Sequence, residues 1–139
     1  MRKSLAVFIL IVSSAVCSGL SYAEMNIIGE WSGIDSDGDS AIFVFGADKS
    51  AELEMEGIPR LSAKNLTNGS VEWSSNTDYD PVHLDIIIMK GSQENGRIPM
   101  ITQIIDDQTM KIQISRDMET RPSGFEITQD VFQIVLTKQ

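Results

Sequence analysis

Cysteine is almost missing from this chain of 139 residues: Cys17 is the single one. It falls in a segment that the sequence marks for removal, so the working chain has none. That excludes disulfide staples, a thiolate metal site, a cysteine nucleophile and thiol redox chemistry. Histidine is down to His83 alone, which removes most routes to a catalytic zinc centre or a nucleophile–base pair. Positive charge is scarce as well, with 11 Lys and Arg against 20 Asp and Glu and a net charge of −9. So acidic a chain repels nucleic acid and anionic headgroups, and no nucleic-acid partner is expected. Long apolar runs are lacking: the one mostly apolar stretch, Leu5 to Val16, is too short to span a bilayer comfortably, and no transmembrane anchor is expected.

That stretch has the layout of a secretory signal. Arg2 and Lys3 precede it, and Ser21-Tyr22-Ala23 ends it with small residues at the two positions that a signal peptidase reads. The expectation is a leader over 1–23, cleavage after Ala23, and export to the periplasm or the medium. A lipid-bearing N-terminus at Cys17 would need a small residue before it, and Val16 stands there. Loss of the leader takes Arg2 and Lys3 away and leaves a charge of about −11. Residues 24–139 fit one domain, large enough to bury roughly two-thirds of its unfolded surface without staples.

Alternation dominates what remains. Ala51, Leu53 and Met55 face one way, and Glu52, Glu54 and Glu56 the other, the pattern of a strand with one side in a core and one in water. Val82, Leu84, Ile86 and Ile88 oppose His83 and Asp85; Met110, Ile112 and Ile114 oppose Lys111, Gln113 and Ser115. Further strands are expected over 26–34, 41–45, 61–66, 71–74, 98–105 and 131–137. Asn68-Gly69 is read as a type I′ hairpin turn, and 91–96 as a loop ending in Asn95-Gly96. Eight or nine short strands with turn signals every 8 to 12 residues indicate an all-β fold. A single antiparallel up-and-down β-barrel is favoured over a sandwich, because closure removes exposed edges.

Gly29-Glu30-Trp31, opening the first strand, resembles the Gly-x-Trp signature of lipocalins and related calycin barrels. The resemblance implies that Trp31 plugs the closed end and that a basic residue from late in the chain, Arg121 or Arg116, lies across its ring. Asp80-Pro81-Val82-His83-Leu84-Asp85-Ile86 resembles the Asp-Pro-x-His-Ile-Asp-Leu strand of a family of small exported bacterial domains abundant in planctomycetes. Arg121-Pro122-Ser123-Gly124-Phe125 is similar to its Arg-Pro-x-x-Phe segment, and 104–112 to its hairpin with an acidic turn. The chain departs in lacking the usual Gly-Ile-Tyr opening and in having Met110 where Leu is common. The structural signature is thus Gly29, Trp31, His83, Asp85, Arg121, Pro122 and Phe125. The resemblance implies a lipocalin-like barrel and export. It carries no catalytic residues, because none are known for that family.

Asp35, Asp37 and Asp39 alternate around Gly38, as at the start of a calcium loop, since a hard cation gathers several oxygens. An EF-hand would place its Gly after the third acid and a Glu at the twelfth position, where Gly46 stands. A solvated turn between the first two strands is the expectation, and no metal or other cofactor is called for. His83 is expected on the solvent side of its strand. The leading functional expectation is a non-enzymatic binding module holding a small apolar ligand in the barrel, with Leu53, Met55, Ile86, Ile88, Met100, Ile112 and Ile114 as its wall. The alternative is an acidic inhibitor or immunity factor that docks on a cationic protein partner; an exposed apolar patch rimmed by acids would favour it.

Overall fold

The computed structural model describes residues 27–139; the expected leader over 1–23, its expected cleavage point and Cys17 lie outside the described residues. Eight strands run β1 (Gly29–Asp35), β2 (Ser40–Phe45), β3 (Ala51–Met55), β4 (Gly69–Asn76), β5 (Val82–Lys90), β6 (Gln93–Asp106), β7 (Thr109–Ser115) and β8 (Val131–Lys138). They form one antiparallel sheet in the order β3-β2-β1-β8-β7-β6-β5-β4. Every neighbour in that order is also a neighbour in sequence except β1 and β8, which join the two ends of the chain. The sheet curls into a nearly closed barrel, as the alternation predicts.

Closure is incomplete between β3 and β4: no ladder joins them, and an isolated bridge from Ser50, the residue before β3, to Glu72 of β4 marks the seam. The connection 56–68 covers this seam. Leu61 exchanges two backbone hydrogen bonds with Leu53, each 2.9 Å, and Ile58, Leu61 and Leu66 pack against the core. Here the expected strand over 61–66 and its Asn68-Gly69 hairpin are corrected. The segment holds a short 3-10 helix, Ala63–Asn65, and Gly69 is already paired with Lys90 as the first residue of β4. Apolar residues on a plug pack inward without alternating against a partner strand. A second correction concerns Asn95-Gly96, which lies inside β6. The β5–β6 turn is made at Gly91, whose φ of 62° is open to glycine at no steric cost.

Inward side chains follow the register. Trp31, Phe43 and Leu53 sit in one row across β1–β2–β3, and Leu84, Met100 and Ile114 in another across β5–β6–β7. All six are at most 1% exposed. The Phe45 and Trp73 rings meet edge-to-face at 5.7 Å, carrying the core across the seam. Among the described residues no helix is long and apolar enough to cross a membrane.

Trp31 is fully buried and donates its indole N–H to the Ile27 carbonyl at 2.9 Å. The cation nearest its ring is Lys138, 5.7 Å from the centroid, and this corrects the expectation of Arg121 or Arg116. Lys138 is the residue paired with Trp31 across β1–β8, so register alone brings it there. Gly29, at φ 135°, leaves the space through which that lysine stem passes. Arg116 instead covers Phe132 at 4.1 Å.

The connection 116–130 between β7 and β8 lies as a strap on the outside of the barrel. Arg116 N–H donates to Asp130 C=O at 2.8 Å, which brings its two ends together, the arrangement of an Ω-loop. Beneath it the outward residues Ile101 and Gln113, 1% and 0% exposed, are as buried as the barrel interior. Gln113 donates to the Glu126 carbonyl, and Gln133 to Gln113 Oε1 and the Phe125 carbonyl. The barrel therefore has a small second core on one outer face.

Candidate functional site

The strap meets β5 at a carboxylate. Alternation sends Asp85 outward, but it is only 5% exposed. Its expected place in water is corrected: Arg121 closes over it with two hydrogen bonds, 2.6 and 3.0 Å. Arg121 also donates to the Met100 carbonyl at 2.8 Å, and Arg97 of β6 reaches Asp85 at 2.6 Å. Arg97 is held from its other side by Glu94, at 3.0 and 2.8 Å. Burial pushes the Asp85 carboxyl upward, yet the hydrogen bonds and charges of Arg121 and Arg97 together hold it below the ordinary carboxylate range. The two guanidinium groups are thereby fixed in place.

Beside this cluster a pocket of about 380 Å³ opens, lined by Ser74, Ser75, Asn76, Tyr79, His83, Asp85, Arg97 and Arg121. Ser74 pairs with Asp85 and Asn76 with His83 across β4–β5, which puts these four side chains on one outer patch. The Tyr79 and His83 rings stack, 3.7 Å between centroids and 5° from parallel. Tyr79 remains 52% exposed. Burial lowers the His83 pKa, Arg121 lowers it further, and the opposing pull of Asp85 is smaller. The net effect favours the neutral imidazole.

The two motif segments quoted from the sequence thus converge. His83 and Asp85 come from one, Arg121 from the other, and Pro122 and Phe125 seat the strap that carries Arg121. Arg97, Tyr79 and Asn76 are site residues that motif reading misses. A signal existed for the covered face: Ile98 to Ile101 is a continuous apolar run, the mark of a strand buried on both sides.

The other candidates separate from this pocket. Leu53, Met55, Ile86, Met100, Ile112 and Ile114 point into the barrel within one cluster that includes Trp31, Phe43 and Phe45, and Ile88 is half-buried. Asp35 is 5% exposed and so is no solvated turn residue. Its Oδ1 accepts the backbone N–H of Asp37 and Asp39, at 2.8 and 3.0 Å, and ties the β1–β2 turn. The carboxylate oxygens of Asp35, Asp37 and Asp39 approach within 4.8 Å. Both oxygens of Asp37, however, are taken by the Arg116 guanidinium at 2.8 and 2.9 Å, so a cationic side chain already stands there. Glu52 and Glu54 face outward and pair loosely with Arg60 at 3.6 and 3.5 Å. No family model, curated protein or solved structure matches this chain.

Proposed function

We propose that this protein is an exported, non-enzymatic binding module of the lipocalin-like type its motifs resemble, and that its ligand is a small polar molecule held outside the barrel. One observation carries the reading: Asp85, with Glu94 on Arg97, orients Arg97 and Arg121 by hydrogen bonds at the edge of a polar pocket also lined by the Tyr79–His83 stack. Preorganised donors around a concavity are what a binding site needs, since little ordering entropy is lost when the ligand arrives. An interior filled by Trp31, Phe43, Phe45 and Met100 favours this outer pocket over the barrel interior as the ligand's place. His83 stacks on the Tyr79 ring, and a flat paired aromatic surface beside polar groups supports a binding role.

A protein-docking role rests on the exposed pair Ile34 and Val135, 62% and 45% exposed and adjacent across β1–β8. Their row neighbours are Ser40 and Lys111 rather than acids, and the polar pocket is the better-built feature. The test is ligand-observed NMR on the exported chain with a set of small polar compounds and one fatty acid. Polar binders should compete with one another and lose their signal in Arg97→Ala. Saturation transfer to the fatty acid alone, unchanged in that variant, would overturn the outer-pocket reading.

A further inference from the structure

We infer that the ligand of this outer pocket is a neutral polyhydroxylated ring, a saccharide. The inference rests on the binding-module reading and narrows it. Charge is balanced at the site: Arg97 and Arg121 are matched by Asp85 and Glu94. Neither an anion nor a cation finds an unopposed charge, and the acidic whole, −9 overall, repels free anions at long range.

Hydrogen-bonding capacity is nevertheless left over. A guanidinium carries five N–H groups. Arg97 directs three to Glu94 and Asp85, and Arg121 three to Asp85 and the Met100 carbonyl, so each retains two. Asn76 uses Oδ1 to accept the Asp78 N–H at 3.0 Å, keeping its N–H2 as a donor. Ser74 and Tyr79 add hydroxyls that donate or accept, and the His83 ring nitrogens line the same pocket. Donors whose charge is already cancelled suit neutral oxygens, which many hydroxyls on one ring supply. The half-exposed Tyr79 ring, held parallel to His83, gives a flat apolar surface on which the C–H face of a pyranose can lie. At about 380 Å³ the pocket is near the small end of ligand sites and fits one or two sugar rings.

The test is titration of the exported chain, followed by ¹H–¹⁵N NMR of the Arg97 and Arg121 Nε–H and Asn76 N–H2 signals. The probes are glucose, galactose, mannose, N-acetylglucosamine and their short oligomers, set against citrate and phosphate. A saccharide should give saturable shifts that weaken about tenfold in Tyr79→Ala and persist in Tyr79→Phe. Tyr79 is half-exposed, and unchanged core amides would show that both variants fold. Shifts with single sugars would identify a free monosaccharide, and shifts only with oligomers the end of a glycan chain. Citrate or phosphate moving these signals while every sugar is silent would overturn the saccharide and leave the polar pocket standing. Silence of all probes would overturn both, and sugar binding indifferent to Tyr79→Ala would overturn the stacking geometry on which the inference depends.

Discussion

At Gly33 the polypeptide has no room for a side chain. A Cβ there would overlap the Val135 carbonyl oxygen on β8, so the pairing that joins the first strand to the last depends on a missing methyl group. Gly33→Ala must push β8 away and should cost about 1–3 kcal/mol, read as a lower urea midpoint; an unchanged midpoint would refute the close approach. Asp85 is the other decisive residue. Its folded-state pKa lies below the ordinary 3.8, so its stabilisation is fully present above pH 3.8 and is lost as the pH falls below it. Asp85→Ala leaves two guanidinium groups without their shared partner. The expected cost at neutral pH is about 2–4 kcal/mol, less than for a wholly buried pair because both arginines keep contact with water. The difference in stability between parent and variant should shrink in acid. A difference that is constant from pH 7 down to pH 2 would contradict the assigned shift.

Among the elements, the strap 116–130 has the clearest test. Arg121 fastens its middle to β5, while Arg116 and Asp130 close its base. In Arg121→Ala, hydrogen exchange of 116–130 should quicken by at least about tenfold, the factor that corresponds to ~1.4 kcal/mol of opening free energy, with β1 to β3 unaffected. Equal protection in the variant would mean that Pro122 and Phe125 seat the strap alone. The strap also explains which parts of the structure the sequence discloses. The β3, β5 and β7 strands are legible because one face packs and the other meets water or polar partners, giving clean alternation at Leu53, Leu84 and Ile112. The outer cover on β6 and β7 is harder to see: it buries Ile101 and Gln113 through contacts that are remote in sequence. His83, Asp85 and Arg121 stand out as motif residues, but their convergence depends on a loop whose path no periodicity encodes. Arg97 and Tyr79 join them only through register and a turn. The plug at 56–68 misleads for the opposite reason, since its apolar residues imitate a strand without pairing as one.

For the molecule as a whole, the β1–β8 pairing and the β3–β4 seam belong together. Order along the sheet follows order along the chain everywhere but at β1 against β8, where Gly33 meets Leu136 across more than a hundred residues. The backbone is in effect a ring of hairpins, cut at one joint and loosely sealed at another. A circular permutant that starts at β4, ends at β3 and links β8 to β1 by a short turn would make all seven ladder pairings local. Its contact order would drop, and folding should accelerate relative to the parent chain, because loop-closure entropy would no longer precede the last ladder. Stopped-flow refolding of the two connectivities compares them directly, and equal rates would show that the terminal strands do not meet in the rate-limiting step. A seam held by one bridge is thus the natural place to open this barrel.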